Sequence, residues 1–90
     1  MSVSEHDLHV VCDMINRRLG TPANPVSGSQ WQVGNYHLDH AYGRVALHRV
    51  VSENGAVTDP FRMGHMPKRE LMCYMRGFVA ALDEVSCLFE

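Results

Sequence analysis

MPKRELMCYMRGFVAALDEVSCLFE, residues 66–90, decides how this chain can fold. Leu71, Met75, Phe78, Leu82, Val85 and Phe89 recur at alternating gaps of four and three. At about 100° per residue they keep to one stripe of a helix. Pro67 suits the first turn, where its missing N–H would have no partner anyway. A stripe of that size needs a sheet or a second helix to cover it, and the preceding residues must supply that cover.

Working back from the long helix, Glu53-Asn54-Gly55 is the strongest local signal. A two-residue Asn-Gly turn pairs Glu53 with Ala56 and Arg49 with Pro60. A three-residue loop with Gly55 left-handed pairs Val51 with Val57 and Leu47 with Phe61, and sets Arg49 opposite Asp59. The second register makes the better cross-strand pairs and is the expected one. It gives strands over Val45–Val51 and Ala56–Phe61, with Pro60 near an end or on an edge. A first strand runs from Trp31 to about His40, with a change of phase at Gly34 that predicts a bulge or a close backbone approach. The turn at residues 41–44 contains Gly43. Residues 21–30, with Pro22, Pro25 and Gly28, read as a connecting loop.

The N-terminal segment is a second helix. Ser4 is a good N-cap and Asp7 forms a variant of the capping box. Leu8, Val11, Cys12, Ile15 and Leu19 follow at helical spacing, and Gly20 ends the run just after Arg17 and Arg18. The expected architecture is α+β in the order αβββα, a three-stranded antiparallel meander with the helices on one face. Residues 1–90 have room for one domain and a thin stability margin, which makes oligomerisation a reasonable expectation.

Composition narrows the function classes. A net charge of −2 gives no reason to expect generalised nucleic-acid binding. The three cysteines, Cys12, Cys73 and Cys87, lack metal-type spacing and read as free thiols of a reducing compartment. The N-terminus does not resemble a signal peptide, and no stretch approaches the roughly 20 apolar residues of a membrane span. A cytoplasmic protein is expected.

No catalytic or cofactor motif is present. Of the six histidines, His37 and His40 are three apart and should point to opposite faces of a strand, and His48 lies across the hairpin. Asp39 shares a face with His37, but neither HExxH nor zinc-finger spacing occurs. No metal and no cofactor is expected, and the histidines read as surface or partly buried structural residues. Cys73 and Cys87 lie away from the N-terminus of their helix and lack a base fixed by spacing.

Two features of the long helix suggest contacts. Arg62, His65, Lys68 and Arg69 surround its start, where free N–H groups already attract anions. Cations there, and Asp83, Glu84 and Glu90 near the far end, have the sign that the helix dipole disfavours. A phosphate or nucleic-acid backbone could answer the cations, and so could a second copy of the helix lying antiparallel. Opposite the main stripe, Cys73, Ala80 and Cys87 repeat every seven residues with Met72 and Val79 beside them and Arg76 and Asp83 interspersed. That second apolar line favours a homodimer contact.

GNYHLDHAYGRVALHRVVSENGAVTDPF, followed by MPKRELMCYMRGFVAAL, resembles small uncharacterised proteins encoded by bacteriophages and prophages. The shared features are the Tyr42-Gly43 turn, the Asn54-Gly55 hairpin and Lys68-Arg69-Glu70-Leu71 opening a helix, over about residues 31–82. The resemblance implies a genomic setting without a biochemical role. The order of elements is also that of double-stranded-RNA-binding domains, with Lys68 and Arg69 similar in position to their basic helix start. The proline of that family's Gly-Pro-x-His loop is missing from Gly34-Asn35-Tyr36-His37, and order alone does not imply function. The expectation is a non-catalytic interaction or regulatory protein acting through protein–protein contact as a homodimer, with nucleic-acid binding as the alternative.

Overall fold

The computed structural model describes residues 2–88. Helix α1 (Glu5–Leu19) starts as its sequence predicts: Ser4 Oγ accepts from the Asp7 N–H at 3.1 Å, and Asp7 Oδ2 accepts from the Ser4 N–H at 3.0 Å. Gly20, at φ 68°, closes it in the left-handed conformation that a side chain would strain. Two short strands follow, β1 (Val26–Ser27) and β2 (Gln30–Trp31), paired antiparallel. This small hairpin corrects the reading of residues 21–30 as plain loop. Strands of two residues carry no periodicity from which to recognise them.

The main sheet is β3 (Tyr36–Ala41), β4 (Arg44–Val50) and β5 (Val57–Thr58), antiparallel in that order. Tyr42 and Gly43, at φ 55° and 75°, form the tight two-residue turn between β3 and β4. Helix α2 (Lys68–Leu88) follows, with the Glu70 and Leu71 N–H groups both donating to the Pro67 carbonyl at its start. The αβββα order therefore holds, with β1–β2 added.

The register of the second hairpin differs from expectation. Val50 pairs with Val57 and Arg49 with Thr58, one residue away from the anticipated Val51–Val57 pairing. The loop is longer by one residue because Ser52 closes it twice. Its carbonyl accepts from the Gly55 N–H, and its hydroxyl accepts from the Ala56 N–H. Trp31 lies against this loop, its N–H bonded to the Glu53 carbonyl. A Cβ on Gly55, whose φ is 95°, would lie 2.8 Å from Trp31 Nε1. Gly55→Ala is accordingly expected to cost about 1–3 kcal/mol in strain and displaced ring. Because Trp31 is the sole tryptophan, its emission spectrum should shift along with the unfolding midpoint.

The third strand is also interrupted. Thr58 pairs with Arg49, but Met66, eight residues on, pairs with Val45, only four residues back along β4. Four extra residues are thus looped out between Asp59 and His65. The Asp59 carboxylate organises them by accepting from the N–H groups of Phe61, Arg62 and Gly64. The expected strand over Ala56–Phe61 ends early for this reason: Asp59 offers the backbone a turn in place of a ladder.

Alternation sorts the sheet into two faces. Tyr36, Leu38, Val45 and Leu47 turn toward both helices and join Leu8, Cys12, Ile15, Leu71, Met72, Met75 and Val79 in one cluster. His37, Asp39, Ala46, His48 and Val50 turn the other way. The helices run side by side in the same direction, with Glu5 beside Lys68 (3.8 Å) at one end and Arg18 bonded to Asp83 at the other.

That arrangement corrects the view of α2. Met72 and Val79, expected on a free second face, are buried. A helix with a sheet beneath it and another helix beside it needs a wider apolar arc than one covering a sheet alone. Two of the ill-placed charges are also answered within the chain, Lys68 by Glu5 and Asp83 by Arg18. Such exposed pairs are worth about 0–1 kcal/mol each, but they remove one motive for a partner. Phe89 and Glu90 lie outside the described residues.

Cys12 is buried, its thiol donating to the Tyr36 carbonyl at 3.3 Å, and burial pushes its pKa up to about 12. Cys73 and Cys87 are exposed. Titration of the native chain with a thiol-specific reagent should therefore label two groups quickly and the third only on unfolding.

Candidate functional site

The sheet face turned away from the helices gathers three of the chain's six histidines, His37, His48 and His65, with Asp39. His37 on β3 stands directly opposite His48 on β4, their rings edge to face with centroids 6.0 Å apart. Trp31 lies against His37 at 6.2 Å and His65 against His48 at 5.8 Å. A row of four aromatic rings thus crosses the face from the small hairpin to the 59–65 excursion.

Asp39, two residues along β3 from His37, closes the group. His65 Nε2–H donates to Asp39 Oδ2 at 2.8 Å, and this hydrogen bond is the main reason the carboxyl titrates below its usual range. Asp39, His48 and His65, all half-buried, offer three ligand atoms within 4.8 Å of one another, the one such convergence of acids, histidines or cysteines among the described residues. His37 is held by Asn35, whose Nδ2 donates to the Pro22 carbonyl at 2.8 Å. Asn35 Oδ1 therefore faces the ring and accepts from His37 Nδ1–H at 3.1 Å, which leaves Nε2 unprotonated in the neutral imidazole. Burial, with a smaller contribution from neighbouring His48, holds the His37 pKa below its usual value.

His37 and His40 lie on opposite faces of β3, as their spacing predicts. His40 points to the helix side, where its Nε2 meets Glu5. The residue that sequence reasoning missed is His65, grouped there with the cations at the start of α2. Proximity in sequence to Lys68 and Arg69 suggested that grouping. Its actual neighbours come from the register of the third strand, for which the sequence carried no signal beyond the turn-forming Asp59-Pro60.

The other candidates sit as follows. Arg62, at φ 56°, is exposed on the excursion and Arg69 is exposed on α2. Lys68 lies beside Glu5, and His65 is engaged with Asp39. Two of the four candidate anion contacts thus face acids of their own chain. Cys73, Arg76, Ala80, Asp83 and Cys87 are exposed along α2, and Cys73 and Arg76 line a cleft with Val3 and Asp7.

A second exposed line runs beside them. Phe61 packs against both Tyr74 and Phe78, and Phe78 meets the edge of Tyr36, so that an aromatic chain leads from the core to the surface. Beyond it the helix leaves its cover. Leu82 is half-buried, Val85 is 50 % exposed and Leu88 is 74 % exposed. No helix of the described residues is long and apolar enough to cross a membrane. The chain matches no protein-family model, no curated protein and no solved structure.

Proposed function

We propose that the protein is a small non-catalytic interaction protein that works through protein–protein contact, with a second copy of itself as partner. The observation that supports this is the far end of α2, where Val85 of the apolar stripe and Leu88 to one side of it are left uncovered. Burying apolar surface of that kind is favourable at about 25 cal/mol per Å². A twofold contact lets one exposed line cover its own copy without any further element. Cys73, Ala80 and Cys87, on the neighbouring line, keep the approach low in profile. The resemblance to small phage and prophage proteins suggests the genomic setting, which the neighbouring genes would test.

Sedimentation equilibrium at high micromolar concentration is the test. The expected result is a dimer that Val85→Glu/Leu88→Glu converts to a monomer with unchanged circular dichroism. A wild-type monomer, or a dimer indifferent to those substitutions, sinks the reading. For the nucleic-acid alternative, Arg62 and Arg69 are the two of the four candidate contacts without an acidic partner among the ion pairs of the described residues, and a low-salt gel shift with Arg69→Glu is its test.

A further inference from the structure

The structure assigns a binding site for one divalent transition-metal ion, zinc by its chemistry, to Asp39, His48 and His65. This goes beyond the interaction reading and does not depend on it. Two imidazoles and a carboxylate are a donor set that zinc and neighbouring first-row ions take, with at least one position left open. Metal–ligand bonds of about 2.0–2.2 Å place adjacent donor atoms roughly 3–3.5 Å apart around a tetrahedral ion. Here one pair is already 2.8 Å apart and all three atoms lie within 4.8 Å of one another. Closing the set asks the widest-spaced donors to move together, which side chains that are only half-buried have room to do.

The three donors come from three segments: β3, β4 and the looped-out residues before α2. The four extra residues of the third strand carry His65 over the sheet face to Asp39 and His48. An ion there would tie the excursion to the sheet, a useful constraint in a domain with a small core. For His65 Nε2 to coordinate, its proton must move to Nδ1 through solvent, a tautomer change with no net proton loss. His37, edge-on to His48 and fixed by Asn35, supports the ring beside the site.

A second group of like composition lacks the same fitness. Glu5 meets His9 and His40, but the Lys68 ammonium is 3.8 Å from its other oxygen and already supplies a positive charge there. That group serves as the internal control.

The test is equilibrium dialysis against Zn²⁺, with Co²⁺ absorption as the readout of coordination. It is made on the full chain carrying Cys73→Ser/Cys87→Ser, so that exposed thiols do not compete. One ion per chain is expected, with the visible bands of four- or five-coordinate Co²⁺ and a thermal midpoint that rises with Zn²⁺. Loss of a supporting group around a metal site already weakens binding about 10–100-fold, so His48→Gln and His65→Gln should each weaken it by roughly 100-fold or more. His40→Gln should change nothing. Circular dichroism confirms that each variant is folded, and His65→Asn serves if His65→Gln is not. Absence of saturable one-to-one binding overturns the assignment. So does unchanged affinity in folded His48→Gln or a folded His65 variant, or loss of binding in His40→Gln.

Discussion

Replacing Asn16 by alanine is expected to destabilise the protein by about 2–4 kcal/mol, because it strands the buried Tyr36 N–H and leaves the Tyr36 carbonyl only the weak Cys12 thiol donor. Asn16 is only 2 % exposed, on the side of α1 that faces the free edge of β3. Its Oδ1 accepts the Tyr36 N–H at 2.9 Å, and its Nδ2 donates to the Tyr36 carbonyl at 2.9 Å. The side-chain amide thus stands where a neighbouring strand would be. The Thr21 hydroxyl donates to the same Oδ1 at 2.8 Å and fixes the amide's orientation. Each buried group left without a partner costs about 1–3 kcal/mol, against a total stability of roughly 5–13 kcal/mol for a chain of this size. Urea unfolding gives the measurement. A loss below about 1 kcal/mol would mean that water replaces the amide and that the edge needs no surrogate strand.

Leu47→Ala should cost a similar amount, about 2–5 kcal/mol, by a different route. Leu47 is fully buried in the central strand, opposite Leu38 and beneath the helices. Truncation there loses transfer free energy and leaves a cavity that the sheet backbone cannot collapse to fill. The next residue offers the contrast. His48→Ala, on the other face and only partly buried, is expected to change stability on the order of 0.5 kcal/mol without metal. The two results together test the assignment of faces, since a slip of one residue would exchange them. Equal effects would contradict it.

Most elements were legible because their signals are local. The Ser4–Asp7 box, Gly20 and the Tyr42-Gly43 turn each act over a few residues, and each is found where the sequence places it. Alternation along β3 and β4 was enough to part His37 from His40 and to place Asp39 with His37. The hairpin register was not legible, because Ser52 and the Trp31 ring choose between loops that differ by one residue. Met72 and Val79 were misplaced for a related reason: periodicity gives the apolar arc of a helix and does not say how many layers share it.

The sequence by itself determined where the helices begin, which residues line each face of the two main strands, and the αβββα order. These follow from hydrogen bonds and side-chain directions fixed within a turn or a strand. Only the tertiary structure decided that α1 lies beside α2 and answers two of its charges, Lys68 and Asp83, and that His65 joins Asp39 and His48. Both depend on pairings between residues far apart in the chain. The four-residue excess between Thr58 and Met66 becomes a site only once Val45 and Arg49 hold its two ends.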